Sequence, residues 1–140
     1  KKGLKNIFVT NGYMSKEAFD YISDYIDAMN IDLKAFSDEF YKKICGASLS
    51  PVLETIKRVY KKKIHIEITT LIIPGENDSK EELEKIAKFI SSLDKNIVWH
   101  ISRFFPMYKM ADKPITPLET LKKAKKIGKK YLKNVYIGNI

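Results

Sequence analysis

The sequence predicts an α/β fold, a partial (β/α) barrel of parallel strands with helices on the convex face, formed as one domain over residues 1–140. Three observations carry this. Apolar segments of strand length alternate with amphipathic helical segments in units of roughly thirty residues. Three strands each have one apolar and one polar face, unlike a doubly wound sheet buried on both sides or a filled, aliphatic barrel. Polar residues also gather at the C-terminal strand ends, the edge at which βα folds bind ligands. Four units and a final strand are too few to close an eight-stranded barrel.

The elements follow in order. Asn6 to Asn11 reads as a short strand stopped by the turn signal Asn11-Gly12. Ser15 is placed to cap a helix on which Ala18, Phe19, Ile22, Tyr25 and Ile26 recur at helical spacing. Ala28 to Lys34 is the next strand. Ser37 caps a short helix reaching Ile44, which Gly46 ends. Ser50-Pro51 opens a helix to about Tyr60, proline suiting the first helical position. Ile64 to Ile73 is the strongest strand, stopped by Pro74-Gly75. Ser79 and Glu82 have capping-box spacing for a helix to Leu93. Ile97 to Arg103 is a strand, Thr116-Pro117 starts the last helix, and Val135 to Gly138 is the closing strand.

The net charge of +9 is carried almost wholly by lysine, with arginine only at Arg58 and Arg103. Arginine is the residue suited to bidentate phosphate and base recognition, so the lysines on amphipathic segments are solvated helix faces and nucleic acid is not a predicted partner. No apolar run is long enough to span a bilayer, and Lys1 to Lys5 lacks the apolar stretch of a secretory signal. One cysteine, Cys45, cannot form an internal disulfide, which predicts a reducing, cytoplasmic setting.

Side chains alternate across a strand, so its polar face can be named. Asn30, Asp32 and Lys34 share one face of the second strand, His65, Glu67 and Thr69 of the third, and His100 and Ser102 of the fourth. With Thr10 and Asn11 at the end of the first, they predict a polar hollow for a small molecule. Asp32 and Lys34 are the sharpest pair. They could meet a zwitterion, Lys34 donating to a carboxylate and Asp32 accepting from an ammonium or hydroxyl, or they could be a structural ion pair. Glu67 needs a partner on such a face, and Lys34 or His65 could supply it. No metal-binding or nucleophile motif is present; 74–78 (Pro-Gly-Glu-Asn-Asp) reads as a turn.

Residues 10–13 (Thr-Asn-Gly-Tyr), 30–34 (Asn-Ile-Asp-Leu-Lys) and 40–47, from Phe40 to Ala47, together resemble radical S-adenosylmethionine (radical-SAM) proteins related to the pyruvate formate-lyase activating enzyme. The stretches 69–78, 99–110 and 135–139 are similar to the radical-SAM member of the AmmeMemoRadiSam system. The resemblance runs over essentially the whole chain and implies the C-terminal portion of a (β/α)6 barrel. It also implies two cofactors. A [4Fe–4S] cluster is held by three cysteines of a CxxxCxxC loop, and S-adenosylmethionine is reductively cleaved to a 5′-deoxyadenosyl radical that abstracts hydrogen from a substrate, a protein among the candidates. Asp32, Lys34, Thr10 and Asn11 are thereby expected at the S-adenosylmethionine site. Asn30, Glu67, Thr69, His100 and Ser102 are assigned to the same hollow by their faces.

The chain departs from the activating enzymes at Val9, where they place an aspartate, and at Thr69 and Tyr108, where they place an arginine and a histidine. It contains no CxxxCxxC, so it is expected to be part of a longer enzyme and inactive alone, with no catalytic residue or cluster ligand of its own. Its first strand is expected to lack its native neighbour. The alternative is a non-catalytic βα module that binds a nucleotide-like ligand or a partner through an exposed sheet edge.

Overall fold

The computed structural model describes residues 2–140; Lys1, part of the N-terminal stretch considered above, lies outside them. Five parallel strands form one sheet in the order β1-β2-β3-β4-β5: β1 (Ile7–Thr10), β2 (Ala28–Asp32), β3 (His65–Ile72), β4 (Val98–Arg103) and β5 (Val135–Gly138). Between them run α1 (Lys16–Ser23), a short α2 (Asp38–Phe40) that passes into a π-helical turn (Tyr41–Cys45), α3 (Leu49–Lys61), α4 (Lys80–Leu93) and α5 (Leu118–Gly128). Parallel crossovers share one hand, so a strand order that follows the sequence puts every helix on the same face. A doubly wound sheet would reverse its order partway. The strand–helix alternation and the partial barrel are therefore as the sequence predicts.

The helix-facing side of the sheet is the core. Met29, Ile31, Ile66, Ile68, Ile72, Trp99, Ile101 and Val135 are buried with Phe19, Val52, Ile56, Val59, Leu83, Ile86, Ile90 and Leu121 from the helices. Two glycines permit close approaches here. Gly12 turns the chain after β1 at φ +71°, where an added Cβ would lie 2.7 Å from Ile31 Cγ2. Gly128 lets α5 approach the Trp99 ring, 2.8 Å from such a Cβ.

Several local signals were used differently from their sequence reading. Helix α1 stops at Ser23, so Tyr25 and Ile26 lie beyond it in the turn whose next residue, Asp27, accepts the Asn6 amide. Helix α3 begins at Leu49 rather than at Ser50-Pro51, because Asp38 Oδ1 accepts the Leu49 amide (3.0 Å). The capping box is half formed. Ser79 Oγ accepts from the Glu82 amide (3.1 Å), but the Glu82 carboxylate takes the Phe36 amide across the fold. Thr116 caps nothing. It is fully buried, donates to Ile72 O (2.6 Å) and accepts from the Phe104 amide (3.0 Å), tying the ends of β3 and β4 together. For Glu82 and Thr116 a distant partner takes the polar side chain, since a buried polar group must be satisfied wherever its donor or acceptor lies.

Among the described residues strand β1 pairs only with β2 and forms an edge, and Ile7 and Val9 on it are about 70% exposed (69% and 71%). No helix among the described residues is long and apolar enough to cross a membrane.

Candidate functional site

The helix-free face of the sheet carries the polar residues in registered rows. Asp32, Thr69, His100 and Tyr136 are Cα partners in sequence from β2 to β5. One row nearer the N-terminal ends lie Val9, Asn30, Glu67 and Val98, and one row nearer the C-terminal ends lie Leu71, Ser102 and Gly138. Asn30, Asp32, Glu67, Thr69, His100 and Ser102 are all partly exposed there, while their sequence neighbours Ile31, Ile68, Thr70, Trp99 and Ile101 are buried on the other side. The structure therefore brings these six together.

Lys34 lies just past β2 and turns its ammonium onto Asp32 (Nζ to Oδ2, 2.9 Å), both side chains being about one-third exposed. This is an accessible ion pair whose charges a ligand can still reach. Glu67 uses neither Lys34 nor His65 alone. Its Oε2 pairs with His100 Nε2 (2.7 Å) and its Oε1 with His65 Nε2 (3.3 Å). The hydrogen bond from His100 holds the Glu67 carboxyl below the usual glutamate range, against the opposing effect of partial burial. The ionised carboxylate fixes the tautomer in which His100 carries its proton on Nε2. Thr69 Oγ1 donates to Asn30 Oδ1 (2.8 Å), and the His100 and Tyr136 rings lie 6.1 Å apart.

Two predicted residues sit apart from these rows. Thr10 is in register with buried Ile31, a helix-facing position, and its hydroxyl accepts from the Gly12 amide (3.1 Å). Asn11 is exposed in the turn that follows, its Oδ1 accepting from the Tyr13 amide (2.9 Å). It lines a cleft of about 520 Å³ at the C-terminal edge together with Tyr13, Lys34, Tyr41 and Cys45. A second hollow of about 530 Å³ lies between β3 and β4 at the N-terminal end, bounded by Tyr60, Asp94 and Asn96 and, of the polar-face residues named above, by His65.

Sequence reasoning missed the residues that hold Lys34. Its amide donates to the Tyr41 phenol oxygen (3.1 Å), and its carbonyl accepts from Asn77 Nδ2 (2.7 Å). Asn77 lies in a segment whose residues read as a turn and whose stretch 69–78 carries part of the family resemblance, but neither reading gave it this role. Among the described residues no group of three His, Cys, Asp or Glu is placed to hold a metal ion.

The Radical SAM superfamily model matches residues 1–90 of the chain. An uncharacterised protein of Methanocaldococcus jannaschii is 45% identical over all of this chain and 42% of its own length. A provisionally named glycyl-radical enzyme activating enzyme of the same organism is 31% identical over 96% of this chain and 52% of its own length. The chain thus spans about half, or less, of these relatives. In fold it is similar to a crystallised domain of the pyruvate-formate lyase-activating enzyme from Bacteroides vulgatus. The TM-score is 0.84 at 20% identity, covering 99% of this chain and 83% of that one. On the family match, and in keeping with its parallel sheet with an open polar face, the chain belongs to the radical-SAM superfamily.

Proposed function

We propose that the protein containing this chain is a radical-SAM enzyme of the activating-enzyme kind, and that these residues form the C-terminal part of its barrel as a single domain. The observation that carries this reading is the Asp32–Lys34 pair, joined at 2.9 Å on the open face yet still accessible. Its opposite charges match a zwitterionic amino acid group. Lys34 would donate to the carboxylate of S-adenosylmethionine, and Asp32 would accept from its ammonium or a ribose hydroxyl. Asn30, Glu67, Thr69, His100 and Ser102 would line the hollow, with Asn11 at its C-terminal rim and Thr10 acting through the turn that its hydroxyl holds at the Gly12 amide. When reductively cleaved, S-adenosylmethionine supplies the radical that abstracts hydrogen, and this wall supplies position and shielding from water.

The family's [4Fe–4S] cluster does not fit here. A cluster of this kind needs three thiolates, and Cys45 is the one cysteine, its thiol pushed up by burial. Its ligands belong elsewhere in the protein, and the 140 residues alone are expected to be inactive. The finer likeness to the AmmeMemoRadiSam radical-SAM proteins rests on residues 69–78, 99–110 and 135–139. The relatives' names make a protein segment the first substrate to test.

The test is titration calorimetry of S-adenosylmethionine into the full-length, cluster-loaded protein. Lys34→Ala and Asp32→Asn each remove a charge-assisted hydrogen bond, about 1.5–3 kcal/mol, and so weaken binding roughly tenfold or more. Unchanged affinity in both variants, with the fold intact, overturns the assignment.

A further inference from the structure

Lys34 stands two residues beyond the last residue of β2, yet its backbone is held from both sides. The Tyr41 phenol oxygen accepts its N–H at 3.1 Å, and Asn77 Nδ2 donates to its C=O at 2.7 Å. Both side chains are almost fully buried, Tyr41 at 3% and Asn77 at 1% exposure. Asn77 also donates to Leu71 O (2.8 Å) and accepts from the Ile73 amide through Oδ1 (2.7 Å). One amide thereby joins the end of β3 and the turn that follows it to the residue after β2. Tyr41 opens the π-helical turn, an irregularity that recurs at functional sites. Burial pushes its phenol up to about 12, so it stays neutral through the working pH range.

We propose that Asn77 and Tyr41 are positioning residues for Lys34: by clamping its carbonyl and its amide, they fix the direction in which its ammonium enters the hollow. A free lysine side chain loses considerable rotamer entropy when it is ordered on a ligand. A backbone anchored on both sides, together with the 2.9 Å bond to Asp32, removes part of that loss before binding. The inference rests on the assignment of Lys34 to S-adenosylmethionine given above.

The experiment is a pair of double-mutant cycles on the full-length, cluster-loaded protein, read as S-adenosylmethionine affinity by calorimetry. Asn77→Asp keeps the acceptor for Ile73 but places an oxygen against the Lys34 and Leu71 carbonyls; Tyr41→Phe removes only the acceptor of the Lys34 amide. Each is measured with Lys34 intact and in a Lys34→Ala background. Each single variant is expected to weaken binding by about threefold to tenfold, and that loss is expected to vanish once Lys34 is alanine. A purely structural role gives the same loss in both backgrounds, which overturns the proposal, as does wild-type affinity in both single variants. If Asn77→Asp fails to fold, the Tyr41→Phe cycle decides alone. If Lys34→Ala itself binds like wild type, the cofactor-site assignment fails and takes this inference with it. If only Lys34→Ala weakens binding, that assignment stands and the positioning role falls.

Discussion

Thr70 provides the most quantitative test of how this sheet is held together. It is fully buried on the helix-facing side of β3, accepts from Trp99 Nε1 at 2.9 Å and donates to Leu33 O at 2.8 Å. Thr70→Val preserves the shape and removes the hydroxyl, leaving an indole N–H and a carbonyl without this partner in an apolar core. Each loss costs about 1–3 kcal/mol, so about 3 kcal/mol is a conservative total. At ~2.1 cal/mol/K per residue over a chain of this length, that lowers Tm by roughly 10 °C. Thr70→Ser is the control, since it keeps both bonds and loses one methyl, about 1 kcal/mol. The assay is urea and thermal unfolding of the 140-residue chain, followed by the fluorescence of Trp99, its one tryptophan. A valine variant as stable as wild type, or a serine variant less stable than the valine, refutes the reasoning.

Gly128→Ala places a methyl 2.8 Å from Trp99 Cζ3 and 2.9 Å from Cε3, and the ring is fixed by Thr70. Overpacking of about 1–3 kcal/mol should outweigh alanine's better helix propensity, so Tm falls; a rise would contradict the close contact. Glu67 lies below the ordinary glutamate value of 4.5 because His100 donates to it. A depressed carboxylate stabilises the fold above its unfolded pKa, and that contribution is lost as pH falls from there through the lower native value. Thermal scans from pH 6 to pH 3 should therefore fall less steeply for Glu67→Gln than for wild type, and parallel curves would count against the pairing. Strand β1 exposes Ile7 and Val9 on an unpaired edge, which is a template for strand pairing. Light scattering should show concentration-dependent association of the 140-residue chain, suppressed by Val9→Lys; identical behaviour of the two proteins would exclude β1 as the contact.

Alternation alone sorted Asn30, Asp32, Glu67, Thr69, His100 and Ser102 onto one face, because consecutive side chains of a strand must point to opposite sides. The serines at 15, 37 and 79 marked true helix starts, since a cap acts within three residues of its own position. Partner choice was not legible in the same way. Glu67 meets His100 33 residues away and Asn77 reaches 43 residues back to Lys34, while Thr70 and Thr116 bridge strand ends that no local pattern links. Those pairings depend on how each crossover sets the register of the next strand. Register is a property of the packed sheet, so only the tertiary structure decided which polar groups would satisfy one another.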